Sequence, residues 1–311
     1  MVDTLEHIAA DSKVRRAMQA EYWTEIIDCI LQYNPEVEIV DGTFKTVLVR
    51  NKNLAFHLLP VPFARKDLPG QEDPAGLHTP TFFQEQSLEY ASRGIQSVHL
   101  WQDVWVAKQK IVRSRIAVLS GSGVRIMARR TKLRRITRDV MFDFFATNHL
   151  QGFVDARYNY GLFSGGQLLA AASFSSGRKM KRNGITVRSF ELLRYANLLH
   201  HRVTGGLGKL IAHFIKDVNP GDIMTYADLD WSSGRIYQTL NFVQTAVTPP
   251  LAFWIHPAEM IRYSPHRLPK NLTNEFRTQE RYTDMDDFLK DKGYEKIHNA
   301  GNLKYLLICN C

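Results

Sequence analysis

The sequence predicts an α/β (α+β) protein built as two domains. Three observations lead there. The chain has 311 residues, more than one compact core usually serves. Short β-branched runs alternate with stretches of helical periodicity along its length. A Ser-Gly-Ser-Gly stretch at 120–123 is the best linker candidate. The expected division is therefore 1–119, 124–270, and a C-terminal extension 271–311 that packs on the second domain. The hydrophobic content of 44% is that of an ordinary globular protein. No apolar run has the length of a membrane span, and charges are scattered through the first thirty residues, so a cytoplasmic location is expected.

Residues 1–33 read as a helix, with Ile8, Val14, Met18, Trp23, Ile26, Ile27 and Ile30 at helical spacing and Asn34-Pro35 as the stop. VEIVDG, FKTVLVRNKN and LAFHLLPVP are strand-like, 64–80 is loop-like, FFQEQSLEYASR is a helix, IQSVHLW a strand, and VAKQKIVRSRIAVL a helix. In the second half VRIMARRTKLRRI reads as a strand. Thr137 is the expected N-cap for the helix TRDVMFDFFATNHL. YNYGLFS and QLLAAASFSS flank a Gly165-Gly166 hairpin turn, and a second turn at Asn183-Gly184 leads into ITVRSFELLRYA. A glycine-rich loop then opens a helix over 205–218, ended by Asn219-Pro220-Gly221. DIMTYADLD is a strand, SSGRIYQTLNF a short helix, and LAFWIH a late strand. Phe142, Phe144, Phe145, Phe214 and Trp254 are expected in the core.

The net charge of +9 is concentrated locally. One cluster, 124–138, holds Arg125, Arg129, Arg130, Lys132, Arg134, Arg135 and Arg138; another, 177–188, holds Arg178, Lys179, Lys181, Arg182 and Arg188. Arg129, Arg130, Lys132, Arg134, Arg135, Lys179, Lys181 and Arg182 are the candidate phosphate contacts. Such clusters neutralise phosphates and release counterions, so a nucleic acid, DNA first, is the expected partner; a solvated basic face is the plainer reading. Cys29, Cys309 and Cys311 form no C-x-x-C pair, and no metal site is expected. G-x-S-x-G, G-x-x-x-x-G-K-[ST] and H-E-x-x-H are all absent, which leaves hydrolase-triad, nucleotide-hydrolase and zinc-protease readings without a motif.

The stretch TGGLGKLIAHFI (204–215) runs three glycines into an apolar helical pattern. A helix N-terminus directs backbone N–H groups at an anion, and glycine lets the backbone approach it. In this order of elements the stretch resembles the pyrophosphate-binding turn of the Gcn5-related acyltransferase fold, whose pattern is [RQ]-x-x-G-x-[GA]. The resemblance implies acetyl-CoA or another acyl-CoA, held by Arg202, Thr204, Gly205, Gly206, Gly208 and Lys209. Two registers fit in part. Arg202 precedes Gly205 correctly but Leu207 follows; Gly206 and Gly208 fit together but Val203 stands at the basic position. The family's Y-x-x-x-G-F helix is matched by Tyr237 to Phe242, with Asn241 for glycine.

Six blocks in order, NHLQG, YGLFSGGQLLAAASF, ELLRYA, TGGLGKLI, YADLDWSSGRIYQTLNF and GYEKIHNAGNLKYLL, resemble the C-terminal domain of phage-encoded homing-endonuclease-like proteins, and more distantly the Mom family of phage DNA-modification proteins. In those proteins a nuclease domain of the very-short-patch-repair type comes first. LAFHLLP and RGIQSVHLWQDVW resemble its outline, but the two metal-binding acids fall on Thr46 and His57, which cannot hold Mg²⁺ as carboxylates do. Residues 1–119 thus read as a degenerate nuclease-like domain, with an unrelated α/β domain as the plainer alternative. Asp41 and Asp103 remain as acids at other places.

The resemblance, read with the residues, gives four catalytic candidates. Glu191 is the preferred base, on a central strand near the cofactor. Three-residue spacing puts Glu191 and Arg194 on opposite faces unless a bulge intervenes. His149 is a base or substrate contact, or alternatively a cationic helix C-cap. Asp228 is a site candidate, whereas Asp230 is expected to N-cap the following helix. Tyr237 would protonate a departing thiolate, or else be a core aromatic. The expected function is acyl-CoA-dependent transfer to a nucleic-acid-associated acceptor, by direct transfer, since no cysteine lies near. The rival is a non-catalytic DNA-binding protein descended from a homing endonuclease.

Overall fold

The computed structural model describes residues 2–42, 44–61, 79–182 and 184–309, with side chains from residue 17 onward. Asn183, Cys311 and most of the 64–80 stretch lie outside them. In chain order the elements are α1 (Val2–Leu31), β1 (Glu38–Val40), β2 (Lys45–Val49), β3 (Leu54–Leu59), α2 (Phe82–Ser92), β4 (Gln96–Trp101) and α3 (Gln102–Leu119). Then come β5 (Val124–Met127), β6 (Lys132–Arg135), α4 (Arg138–Asn148), β7 (Tyr158–Ser164), β8 (Gln167–Phe174), β9 (Arg178–Arg182), β10 (Ile185–Asn197), β11 (His201–Thr204), α5 (Gly206–Val218), β12 (Asp222–Asp228), α6 (Arg235–Gln238) and β13 (Val243–Thr248). The last are β14 (Ala252–His256), β15 (Ile261–Tyr263), α7 (Lys270–Thr278), α8 (Met285–Asp291), β16 (Glu295–His298) and β17 (Asn302–Ile308). The α+β class is as the sequence predicts. No described helix is long and apolar enough to cross a membrane.

The chain forms two compact units, but not by the expected cut. One unit takes residues 1–107, 228–233 and 249–302; the other takes 108–227, 234–248 and 303–311. The boundary falls inside α3, at the residue Lys108 whose φ of −134° breaks helical geometry, rather than at Ser-Gly-Ser-Gly. Most of the expected extension 271–311 does not join the second unit: α7, α8 and β16 belong to the first. LAFWIH likewise becomes β14, the centre of a β15-β14-β16 sheet in that unit. Hydrophobic periodicity identifies a strand but not the sheet it joins, and that explains these differences.

In the first unit β1 to β4 form one sheet in chain order, antiparallel except for the parallel β3–β4 pair. The register sets Thr46 opposite His57 and His57 opposite His99. Both histidines are buried. The His99 Nε2 lies 2.7 Å from the Ser87 hydroxyl, and the rings of Phe44, Tyr90 and His99 pack around His57. Burial lowers the His57 pKa to about 4 and pushes His99 well below its ordinary value. Unfolded histidine takes up its proton near pH 6.5, before folded His57 does, so stability must fall as pH drops through that window. The His57 share is roughly 3 kcal/mol. A His57→Leu chain should lose this part of the slope in denaturant unfolding followed from pH 7 to pH 4.

In the second unit the main sheet runs β13-β17-β12-β10-β8-β7-β6, with β9 pairing β10 alongside β8. Helix α5 buries Leu207, Leu210, Ile211 and Phe214, an i, i+3, i+4, i+7 face. Phe214 stacks on Phe174 at 4.0 Å and meets Phe190 and Tyr160 edge-on. Burying such a ring contributes roughly 1.5–3 kcal/mol. The other sheet face carries α4, whose Met141, Phe144 and Phe145 pack on Ala171 and Ala196. Phe142 is the exception among the expected core aromatics: it lies on the outer side of α4, 49% exposed. Thr137 does cap α4, accepting the Val140 N–H. The stretch expected as one strand over 124–136 is two, β5 and β6, split by a 3₁₀ turn at Ala128–Arg130.

Candidate functional site

The site grows from the central strand β10. Its first part pairs with β9 and its last part with β8, both antiparallel. Between Leu192 and Arg194 the register slips: Leu192 faces Phe174 and Arg194 faces Ser173. This is a β-bulge, with one extra residue on β10. A bulge reverses the alternation of side chains beyond it. Phe190, Leu192 and Tyr195 therefore share the α5 face, while Glu191, Arg194 and Ala196 share the opposite face. The condition under which Glu191 and Arg194 can meet is satisfied. Arg194 also holds the bulge, donating to the carbonyls of Leu193 at 2.8 Å and Gly152 at 3.3 Å.

On its other side β10 pairs in parallel with β12, but only through Ser189–Asp222, Phe190–Ile223 and Glu191–Met224. Beyond that last pair β10 continues to Asn197 and β12 to Asp228 without pairing to each other. The Thr225 hydroxyl still reaches the Leu192 carbonyl, at 3.1 Å. The two strands thus part at Glu191, immediately beside the bulge. Glu191 is half-buried, and burial raises its carboxyl pKa against the lowering pull of Arg178, Arg194 and Lys304. On the α5 face Tyr237 is grouped with Thr225 and Tyr195, its ring packed on Phe242 and Tyr305. Burial raises its pKa, so the phenol keeps its proton at neutral pH. The departure at Asn241 leaves the turn intact. Its φ is +61°, a left-handed conformation asparagine tolerates better than most residues.

The glycine turn follows β10 through β11. Gly205 has φ +77° and caps α5, which explains that glycine. Gly206 is buried: a Cβ there would come within 3.1 Å of the Tyr195 hydroxyl and 3.0 Å of Val203. At Gly208 a Cβ would meet only the Leu240 side-chain end, at 3.0 Å. Val203 explains the failure of the basic position. Its side chain is buried and its N–H bonds Asn197, whereas Arg202 and Thr204 on either side are exposed. The register pairs Arg202 with Arg125. Lys209 turns away from the expected role: its ammonium donates to the carbonyls of Ala128 at 2.9 Å and Thr131 at 2.5 Å, tying down the 3₁₀ turn.

The remaining candidates separate. His149 ends α4, with its Nδ1 accepting the Gln151 N–H. Burial, then Arg194 and Arg115, lower its pKa to about 3, so it is neutral at physiological pH and is not a cationic cap. Asp228 belongs to the first unit, where its carboxylate accepts the Asp230 N–H. Asp230 caps no helix. Gly234 stands at the N-cap of α6, and Asp230 accepts the Ala300 N–H instead. Arg129, Arg130, Lys132 and Arg134 are exposed, and Arg135 is paired with Asp217 at 3.0 Å. Lys179 and Lys181 are exposed, but Arg182 is spent on fully buried Asp222 at 2.7 Å. The hairpin cations sit at the start of β10, nine to twelve residues, or ~30–40 Å of strand, from the strand end that leads to the glycine turn.

Sequence reasoning did not single out Tyr195, Thr225 or Lys304, and it counted Arg178 only within the basic run 177–188. No local signal brings the four together; they meet only through strand register.

No protein-family model matches the chain, and no characterised protein matches it by sequence. Solved structures similar to it include a KacTA–DNA complex, at 23% identity over 37% of this chain and 86% of that one, with a TM-score of 0.29. A Bacillus subtilis acetyltransferase in complex with CoA matches at 12% identity over 58% and 97%, TM-score 0.31. The ribosomal-protein-S18-alanine N-acetyltransferase of Escherichia coli matches at 11% identity over 58% and 95%, TM-score 0.32. At these scores none of them bears on the chemistry of this chain.

Proposed function

We propose that the second unit is a Gcn5-related-acyltransferase-like domain that moves an acyl group from acyl-CoA, acetyl-CoA first among them, to a nucleic-acid-associated acceptor. One observation carries this reading: two parallel central strands part beside a bulge, with a half-buried carboxylate at the fork and a glycine-capped helix beyond it. The cofactor would supply an activated acyl thioester. The N–H groups of Gly206 and Gly208, which a helix's first turn leaves without intrahelical partners, would take its pyrophosphate, with Arg202 and Thr204 exposed alongside. Glu191 accepts the proton that the acceptor's amine must lose, and its raised pKa suits that task. Tyr237 donates its hydroxyl proton where a thiolate leaves. His149, held neutral, serves as a hydrogen-bonding contact rather than as the base.

The exposed cations Arg129, Arg130, Lys132 and Arg134 would meet nucleic-acid phosphates. No nuclease chemistry is assigned to the first unit, because Asp103 is ion-paired with Arg262 and Asp41 with Lys45. An origin in a mobile element and a cytoplasmic location belong to the same reading. The second reading, a DNA-binding protein without catalysis, draws on Val203 at the basic position and on the engagement of Lys209.

Calorimetric titration with acetyl-CoA and CoA separates them, using wild type and Gly208→Asp. A carboxylate in the first turn of a helix favours the helix and so should leave the fold intact, yet it repels an anion there. The expected result is binding by wild type and at least about tenfold weaker binding by the variant, roughly 1.4 kcal/mol. Absence of CoA binding beside salt-sensitive DNA binding would favour the second reading.

A further inference from the structure

The Glu191 face of the sheet carries a group of cations that the transfer chemistry does not need. Residues paired across a ladder share a face, so Arg178, opposite Ser189, stands on the same side as Glu191 two residues on. Its guanidinium reaches the sulfur of Met224, the β12 partner of Glu191, at 3.2 Å. From the neighbouring strand β17, Lys304 acts on the same carboxylate. Tyr226, two residues beyond Met224 and 37% exposed, extends this face toward the open end of the fork. Arg194 is committed to the Leu193 and Gly152 carbonyls; Arg178 is exposed and Lys304 half-exposed. Two cations on either side of the candidate base suit an acceptor that brings its own negative charge.

We infer that this face is the acceptor site, and that the acceptor is an amine with a phosphate group close by, the phosphate being held between Arg178 and Lys304 while the amine faces Glu191. This rests on the acyl-transfer reading. It adds a consequence: a bound phosphate offsets the cations that pull the Glu191 pKa down, so the carboxylate becomes a better proton acceptor when acceptor is present. In the step itself the amine nitrogen bonds the acyl carbon, the carbon–sulfur bond breaks, Glu191 takes the amine proton, and the sulfur takes one from Tyr237.

The test is calorimetric titration of wild type and of Arg178→Gln/Lys304→Gln with O-phosphoethanolamine, ethanolamine and coenzyme A. The expected result is that O-phosphoethanolamine binds wild type at least tenfold more tightly than ethanolamine, that the double variant loses this preference, and that coenzyme A affinity is the same in both. Displacement of O-phosphoethanolamine by a short single-stranded oligodeoxynucleotide would assign the phosphate to a nucleic acid; no displacement would assign it to a free phosphate ester. Equal binding of the two amines, or a preference that survives in the double variant, overturns the inference. A preference lost in the variant, with no coenzyme A binding by either protein, leaves the phosphate site standing and removes the transfer reading instead.

Discussion

Glu191→Gln is expected to lower kcat/KM for acyl transfer by about 10²–10⁴-fold, the usual contribution of a general base, and to leave coenzyme A affinity unchanged. Gln keeps the shape and polarity of the side chain at the fork and removes only its capacity to take a proton. The wild-type rate should rise with pH through a midpoint above the ordinary glutamate range, because burial raises the Glu191 pKa. The variant should lack that rise. Steady-state rates with acetyl-CoA and an amine acceptor between pH 4 and pH 8 provide the check. A variant that keeps both rate and pH profile would remove Glu191 from the chemistry.

The largest stability effect is expected in the first unit, from Arg262→Met. Arg262 grips Asp103 through two hydrogen bonds of 2.8 Å, and its guanidinium lies over the rings of Trp101 and Phe253. Asp103 is 2% exposed at its side chain and Arg262 18%, so solvent screens the pair little. Asp230 sits in the same electrostatic neighbourhood, its pKa pushed up to about 8 by burial and then by Asp228. Removing the guanidinium leaves Asp103 a buried charge without compensation, which costs about 3–5 kcal/mol. Urea unfolding of wild type and variant reads the loss. Arg262→Lys should recover only part of the loss, since an ammonium cannot reproduce the two-pronged contact. A loss under about 1 kcal/mol would mean that the pair is dispensable.

Local chemistry was enough for several parts of the molecule. Apolar spacing marks α1 to α5, and Gly165-Gly166 and Gly184 mark their hairpins. Gly205 to Gly208 place the start of α5, and Thr137 places that of α4. These features act over a few residues, so their physics is written where they occur. Asp230 misled because a cap must lie at the helix start, and the left-handed Gly234 delays that start by four residues.

Tertiary structure alone decided what the site contains. The bulge at Leu192–Arg194 is a mismatch between two strands, and no residue of β10 announces it. Yet it brings Glu191 and Arg194 to one face and parts β10 from β12. Arg178 and Lys304 flank Glu191 from positions 13 residues before it and 113 after it in the sequence, because register, not sequence, makes neighbours in a sheet. Lys209 looked like a phosphate ligand until two backbone carbonyls claimed its ammonium. The division into units was hidden for the same reason. Strand character depends on a strand's own residues, but its sheet depends on every other strand seeking a partner, so β14 and β16 joined the first unit while β17 completed the sheet of the second.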